Sequence, residues 1–84
     1  MQPETLITLR HENMKKATKF LVYCVEIYKT KYRISGREVM RIFAQYEIFD
    51  YILECYGSLH TTGPEYIIED IAGLIKEKHE KTAS

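Results

Sequence analysis

Residues 17–28, reading Ala-Thr-Lys-Phe-Leu-Val-Tyr-Cys-Val-Glu-Ile-Tyr, constrain this chain more than any other stretch. They form its longest near-continuous apolar run. Phe20, Leu21, Cys24, Ile27 and Tyr28 recur at three- and four-residue steps, which puts them on one stripe of an α-helix. Val22, Tyr23 and Val25 widen that stripe to most of the circumference, so the pattern predicts a central helix covered on more than one side. No Gly or Pro interrupts residues 13–32, and the helix is expected over that span.

A helix that apolar needs partners, and three further stripes supply them. Ser35 followed by Glu38 is a capping box, with Ile34 and Val39 placed for the accompanying hydrophobic staple. A second helix is therefore expected over residues 36–46, burying Val39, Met40 and Phe43 with Ala44 at the edge. The third, over residues 50–58, has Asp50 as its N-cap and Ile52, Cys55 and Tyr56 on its inner stripe. Gly57 is placed to end it, while Leu59 keeps the chain near the core for another turn. A fourth helix, over residues 64–79, carries Ile67, Ile68, Ile71, Leu74 and Ile75. It starts either with Thr62 capping and Glu65 at N3, or with Gly63 capping and Pro64 at N1. Gly73 inside it costs about 1 kcal/mol relative to Ala unless a neighbouring helix needs close approach. Residues 1–12, with Pro3 and the apolar set Leu6, Ile7 and Leu9, form an arm or a backward extension of the first helix, and residues 81–84 are a tail. No strand pattern, repeat or linker occurs. The expected fold is all-α, one helical domain over residues 13–80 with about four helices.

At 84 residues the chain buries only about 60 % of its unfolded surface, which leaves a small core. A hydrophobic content of 45 % argues against disorder. Cys24 and Cys55 are too few for a disulfide scaffold and sit inside apolar helical patterns, as small buried hydrophobes do. The run at 20–27 is far short of the roughly 20 residues that span a bilayer, and no signal-peptide pattern opens the chain. A reduced cytoplasm, with no membrane association, is the expectation.

Net charge is zero, but it is divided. Residues 1–33 hold seven basic against three acidic side chains (+4); residues 34–84 hold five against nine (−4). Such a division suits an acidic partner or a phosphate backbone at the basic end, although a solvated helix face is the plainer account of the lysines. Seven tyrosines and no Trp add residues at home on partner interfaces. Tyr23, Tyr32, Tyr46 and Tyr66 fall at the margins of their stripes and are the candidate partner contacts.

Catalytic inventory is thin. His11, His60 and His79 lie in three segments without metal-ligand spacing, and Gly36, Gly57, Gly63 and Gly73 are scattered singly. Cys55 and His60 are five apart, and Glu69 and Asp70 are adjacent and diverge on a helix. No catalytic residue, metal site or cofactor is expected, and the chain does not read as an enzyme. Short helices joined by tight turns suggest a DNA-binding helix-turn-helix. The third helix would then face phosphates with Glu47, Asp50 and Glu54, and no Lys or Arg lies between Arg41 and Lys76. Arg37, Arg41 and Gln45, at i, i+4 and i+8, are the better nucleic-acid candidates. His60, Thr61 and Thr62 form the one polar cluster outside helix periodicity. Beside a helix N-terminus they suit an anion, or they are capping groups.

Phe20-Leu-Val-Tyr-Cys-Val-Glu-Ile-Tyr-Lys29, Ile34-Ser-Gly-Arg-Glu-Val39, Phe43, Asp50-Tyr-Ile52, Cys55-Tyr56 and Leu59-His-Thr-Thr-Gly63 together resemble a family of small bacterial proteins classed as a domain of unknown function. The resemblance covers about residues 20–71. It implies a setting beside genes for a second small family resembling ADP-ribosyltransferase toxins, and so a toxin–antitoxin or accessory-partner role. This chain departs from the pattern at Glu47, where Gly is expected, and at Gly57, where a longer polar or charged residue is expected. The leading expectation is a protein-interaction module, the antitoxin or accessory partner of an adjacent toxin-like enzyme. A DNA-binding regulator and a structural homo-oligomer are the alternatives.

Overall fold

The apolar stripe of residues 17–28 becomes the inner face of a 30-residue helix, α1 (Pro3–Tyr32). The computed structural model describes the backbone of residues 3–83 and the side chains of residues 15–81. After α1 come α2 (Gly36–Gln45), α3 (Ile48–Glu54), α4 (Tyr56–Leu59) and α5 (Pro64–Ala83), with no strand among the described residues. The chain is all-α. α1 begins at Pro3, ten residues ahead of the expected start, and so takes in most of the N-terminal segment. The expected third helix is two, α3 and α4, divided at Cys55.

α1 packs against α2, α3 and α5. Its buried face is Cys24, Val25 and Tyr28, flanked by half-buried Phe20, Leu21 and Ile27. The coverage is less complete than the composition suggests. Val22 is 58 % exposed and Tyr23 41 %, because neighbours on three sides still leave the outer arc of the helix in water. Met40 also differs, at 49 % exposure: α2 is rolled so that Val39 and Phe43 point inward and Ile42 and Tyr46 flank them, leaving Met40 on the opposite shoulder. Ile48, Ile52, Ile67 and Ile71 complete the core.

The helix ends follow local chemistry. At the end of α1, Arg33 takes a left-handed conformation (φ 54°) and the Ile34 amide donates to the Lys29 carbonyl at 3.3 Å, a Schellman closure. Ser35 caps α2, its Oγ accepting from the Glu38 amide at 3.1 Å. Only that half of the capping box forms, because the Glu38 carboxylate turns to Arg41. Asp50 is not an N-cap. α3 starts two residues earlier, straight after Glu47, and Asp50 lies in its first turn, where the helix dipole favours a negative charge. Two residues link α2 to α3, and Glu47 makes that turn with φ 57° and ψ 35° so that Ile48 can enter the core. At α5 the Ile67 amide donates to the Gly63 carbonyl at 3.1 Å, which makes Gly63 the cap and Pro64 the first helical residue. Thr62 is spent elsewhere.

Two substitutions follow. A non-glycine residue in the left-handed region costs roughly 1–2 kcal/mol, partly offset by the flexibility glycine adds to the unfolded chain. Glu47→Gly is therefore expected to raise unfolding free energy by about 0.5–1 kcal/mol in urea titration. Gly73 is exposed and a Cβ there meets nothing within 4 Å, so close packing does not account for it. Gly73→Ala should gain about 1 kcal/mol.

Candidate functional site

Two sequence relationships, Phe20 with Tyr23 on α1 and Tyr56 with His60 at either end of α4, build one surface. Residues three or four apart on a helix lie on the same side. The Phe20 and Tyr23 rings are 6.0 Å apart, Phe20 meets Tyr56 edge-on at 5.4 Å, and Tyr56 stacks on His60 at 4.4 Å and 15°. The break between α3 and α4 at Cys55 places Tyr56 at the start of a new helix. The result is a continuous aromatic ridge in which Tyr23 and His60 are exposed and Phe20 and Tyr56 half-buried. Lys16 and Lys19 stand seven and four positions before Tyr23, on the same side of α1, and both are exposed.

His60 is held from two directions. Its ring lies on Tyr56, and Nδ1 is 2.6 Å from the Tyr56 carbonyl. A carbonyl only accepts, so Nδ1 is the donor of this bond and Nε2 points away from it. Thr61 Oγ1 donates to the Ser58 carbonyl at 2.9 Å and Thr62 Oγ1 to the Leu59 carbonyl at 2.7 Å. The Thr62 amide is also engaged, with Leu59 at 3.0 Å. The polar loop thus closes the end of α4, and its hydroxyls serve backbone carbonyls.

The four candidate tyrosines do not share a face. Tyr23 and Tyr32 are nine residues apart on α1, which at about 100° per residue puts them on opposite sides. Tyr32 packs on Tyr28 at 4.6 Å and lines a cavity of about 260 Å³ with Lys31, Glu65, Ile68 and Glu69. Tyr46 is half-buried, and its hydroxyl lies 3.0 Å from His79 Nδ1. Tyr66 stands 57 % exposed on the outer side of α5. Arg37, Arg41 and Gln45 are exposed along α2, as their spacing predicts. Arg41 grips Glu38 through Nη2 at 2.5 Å and Nε at 3.3 Å and reaches Gln45 Oε1 through Nη1 at 3.3 Å. The Arg41 hydrogen bond holds the Glu38 carboxyl below its usual range, so the guanidinium charge is balanced within its own helix.

Sequence reasoning placed Phe20 and Tyr56 in the core and so missed the ridge; the i,i+3 and i,i+4 aromatic pairs were the available sign of it. It also missed Tyr51, whose hydroxyl donates to Asp70 and ties α3 to α5. Burial pushes the Cys24 thiol up to about 12, which keeps it protonated at neutral pH. Among the described residues no three His, Cys, Asp or Glu side chains converge as metal ligands, and no helix is long and apolar enough to cross a membrane.

A family model described as "Protein of unknown function (DUF3791)" matches residues 19–78, from the base of the ridge to the last turns of α5. The chain belongs to the DUF3791 family. Phe20, Tyr23, Tyr56 and His60 all fall inside the matched residues. No curated protein and no solved structure matches the chain.

The Tyr51–Asp70 bond carries a pH signature. An unfolded tyrosine ionises near pH 10, whereas the bond to Asp70, and then burial, raise the folded value. The unfolded state therefore loses its proton first as pH rises. The stabilisation is complete below about pH 10 and declines above it. Tyr51→Phe should cost about 1–2 kcal/mol at neutral pH, and the gap to the parent protein should narrow as denaturation is followed above pH 10.

Proposed function

We propose that this DUF3791 chain is a protein-interaction module, and that the Tyr23–Phe20–Tyr56–His60 ridge is its contact surface. The observation that carries the reading is the ridge itself, four rings in contact across two helices and left partly in water. Aromatic side chains carry roughly 150–250 Å² each, so covering the exposed part of this group contributes several kcal/mol at about 25 cal/mol per Å². Tyr anchors inside a polar rim are also the usual make-up of energetically dominant contacts, and Lys16 and Lys19 supply such a rim.

The partner we infer is the product of an adjacent gene, a toxin-like enzyme that this chain neutralises or assists. That inference draws on the motif resemblance and on the basic charge of the first third of the chain. The DNA-binding alternative has less in its favour, since Arg41 already answers Glu38 and Gln45.

Co-expression with the neighbouring gene product tests the proposal. Co-purification and rescue of growth are expected, and Tyr23→Ala should weaken binding by about 2 kcal/mol, roughly thirtyfold in Kd. Arg37→Ala, on α2, should leave binding unchanged. The reading fails if neither co-purification nor rescue occurs, or if Tyr23→Ala and His60→Ala bind as the parent does. A salt-sensitive gel shift abolished by Arg37→Ala with Arg41→Ala would transfer the function to α2 and nucleic acid.

A further inference from the structure

The division of charge along the chain has a counterpart in three dimensions. Between α3 and the C-terminal half of α5 runs an open groove of about 400 Å³, with Glu47, Asp50 and Glu54 along one wall and Leu53 and Leu74 supplying apolar surface. All three carboxylates are exposed, as is Leu53 at 46 %. Lys78 enters the groove and donates to the Tyr46 carbonyl at 2.6 Å, closing the end of α2. Glu47 also shares a space with Lys78 and Lys81, so Asp50 and Glu54 carry most of the groove's negative charge.

The outer arc of α1 is its complement. Lys15, Lys19 and Val22 stand at i, i+4 and i+7, all exposed, with Val22 at 58 %. Their stripe is about 10 Å long, seven residues at 1.5 Å each. Glu47, Asp50 and Glu54 also span seven positions, so the two stripes match in length, oppose in sign and each carry one exposed aliphatic side chain, Val22 or Leu53. This arc borders the aromatic ridge and shares Lys19 with its rim, while Lys15 and Val22 lie on the side away from it.

We propose that the groove receives a second copy of this chain, the Lys15–Lys19–Val22 stripe of one protomer lying along the Glu47–Asp50–Glu54 wall of its partner. Each copy carries both surfaces, and the pairing we propose is two-fold, so that both contacts form at once and the assembly closes as a dimer. A formal net charge of zero removes the long-range repulsion that keeps like molecules apart. A small core also gains from association, because burial between subunits adds to burial within one.

Sedimentation velocity on the full chain tests this. A dimer is expected at 20 mM salt, with its Kd rising roughly tenfold or more by 500 mM as the charges are screened. Lys15→Glu with Lys19→Glu should make one monomeric variant, and Asp50→Lys with Glu54→Lys another, since like charges then face each other. An equimolar mixture of the two should restore a dimer, because each reversed stripe now meets a reversed groove. Misfolding cannot produce that rescue, and the salt dependence of the parent protein gives a second readout should a variant fail to fold. A monomer at all concentrations and salts overturns the proposal. So does a dimer that neither salt nor the reversals weaken, or a mixture that stays monomeric.

Discussion

Phe43 sits at the centre of the fold, fully buried, with Tyr28 of α1 edge-on at 5.2 Å and Phe49 of α3 edge-on at 5.6 Å. Edge-to-face contacts at these separations are worth about 0.5–1.5 kcal/mol each beyond the area they bury. One ring thus joins three helices, and Ile67 and Ile71 of α5 belong to the same buried cluster. Among the described residues the buried side chains form one such cluster, with no second to take over. The short helices α2 and α3 are below the length at which helices are stable alone, so they owe their order to this packing. The strained turn at Glu47 has the same origin. A two-residue link is the means by which both Phe43 and Ile48 reach the core.

The core was largely legible in the sequence, since three- and four-residue spacing of apolar side chains reports directly which face a helix buries. Cys24, Tyr28, Val39, Phe43, Ile52, Ile67 and Ile71 are buried as their spacing predicts. Errors arose where a stripe had two equally apolar shoulders. Met40 and Ile42 both border Val39 and Phe43, and only the roll of α2 against its neighbours decides which is covered. Val22 was read as buried girth because a hydrophobic pattern records affinity for cover and says nothing of whether cover is present. The break at Cys55 was invisible for a related reason, as residues 50–58 keep a helical pattern across it.

The surface was less legible. The ridge joins two sequence-local pairs through one long-range contact, Phe20 with Tyr56, and periodicity along a single helix carries no information about such a contact. The tyrosines chosen for lying at stripe margins do not share a face, and Tyr23 alone lies on the ridge. The loop at His60 allowed an anion or a capping role, and its hydroxyls and the Thr62 amide are engaged by the backbone at the end of α4, as the capping reading expects. Membership of the DUF3791 family fixes kinship and leaves the activity to such surface features.

Through the Phe43 hub, α1, α2, α3 and α5 should form one cooperative unit, leaving the ridge outside as a surface the fold does not need to cover. Native-state hydrogen exchange tests it most directly. Amides of residues 24–28, 39–43 and 67–71 should exchange with one common free energy equal to that of global unfolding, and those of residues 58–62 with a lower one. Exchange of residues 67–71 through openings of much lower free energy than residues 39–43 would contradict it, because α5 would then be a separate unit that the hub does not hold.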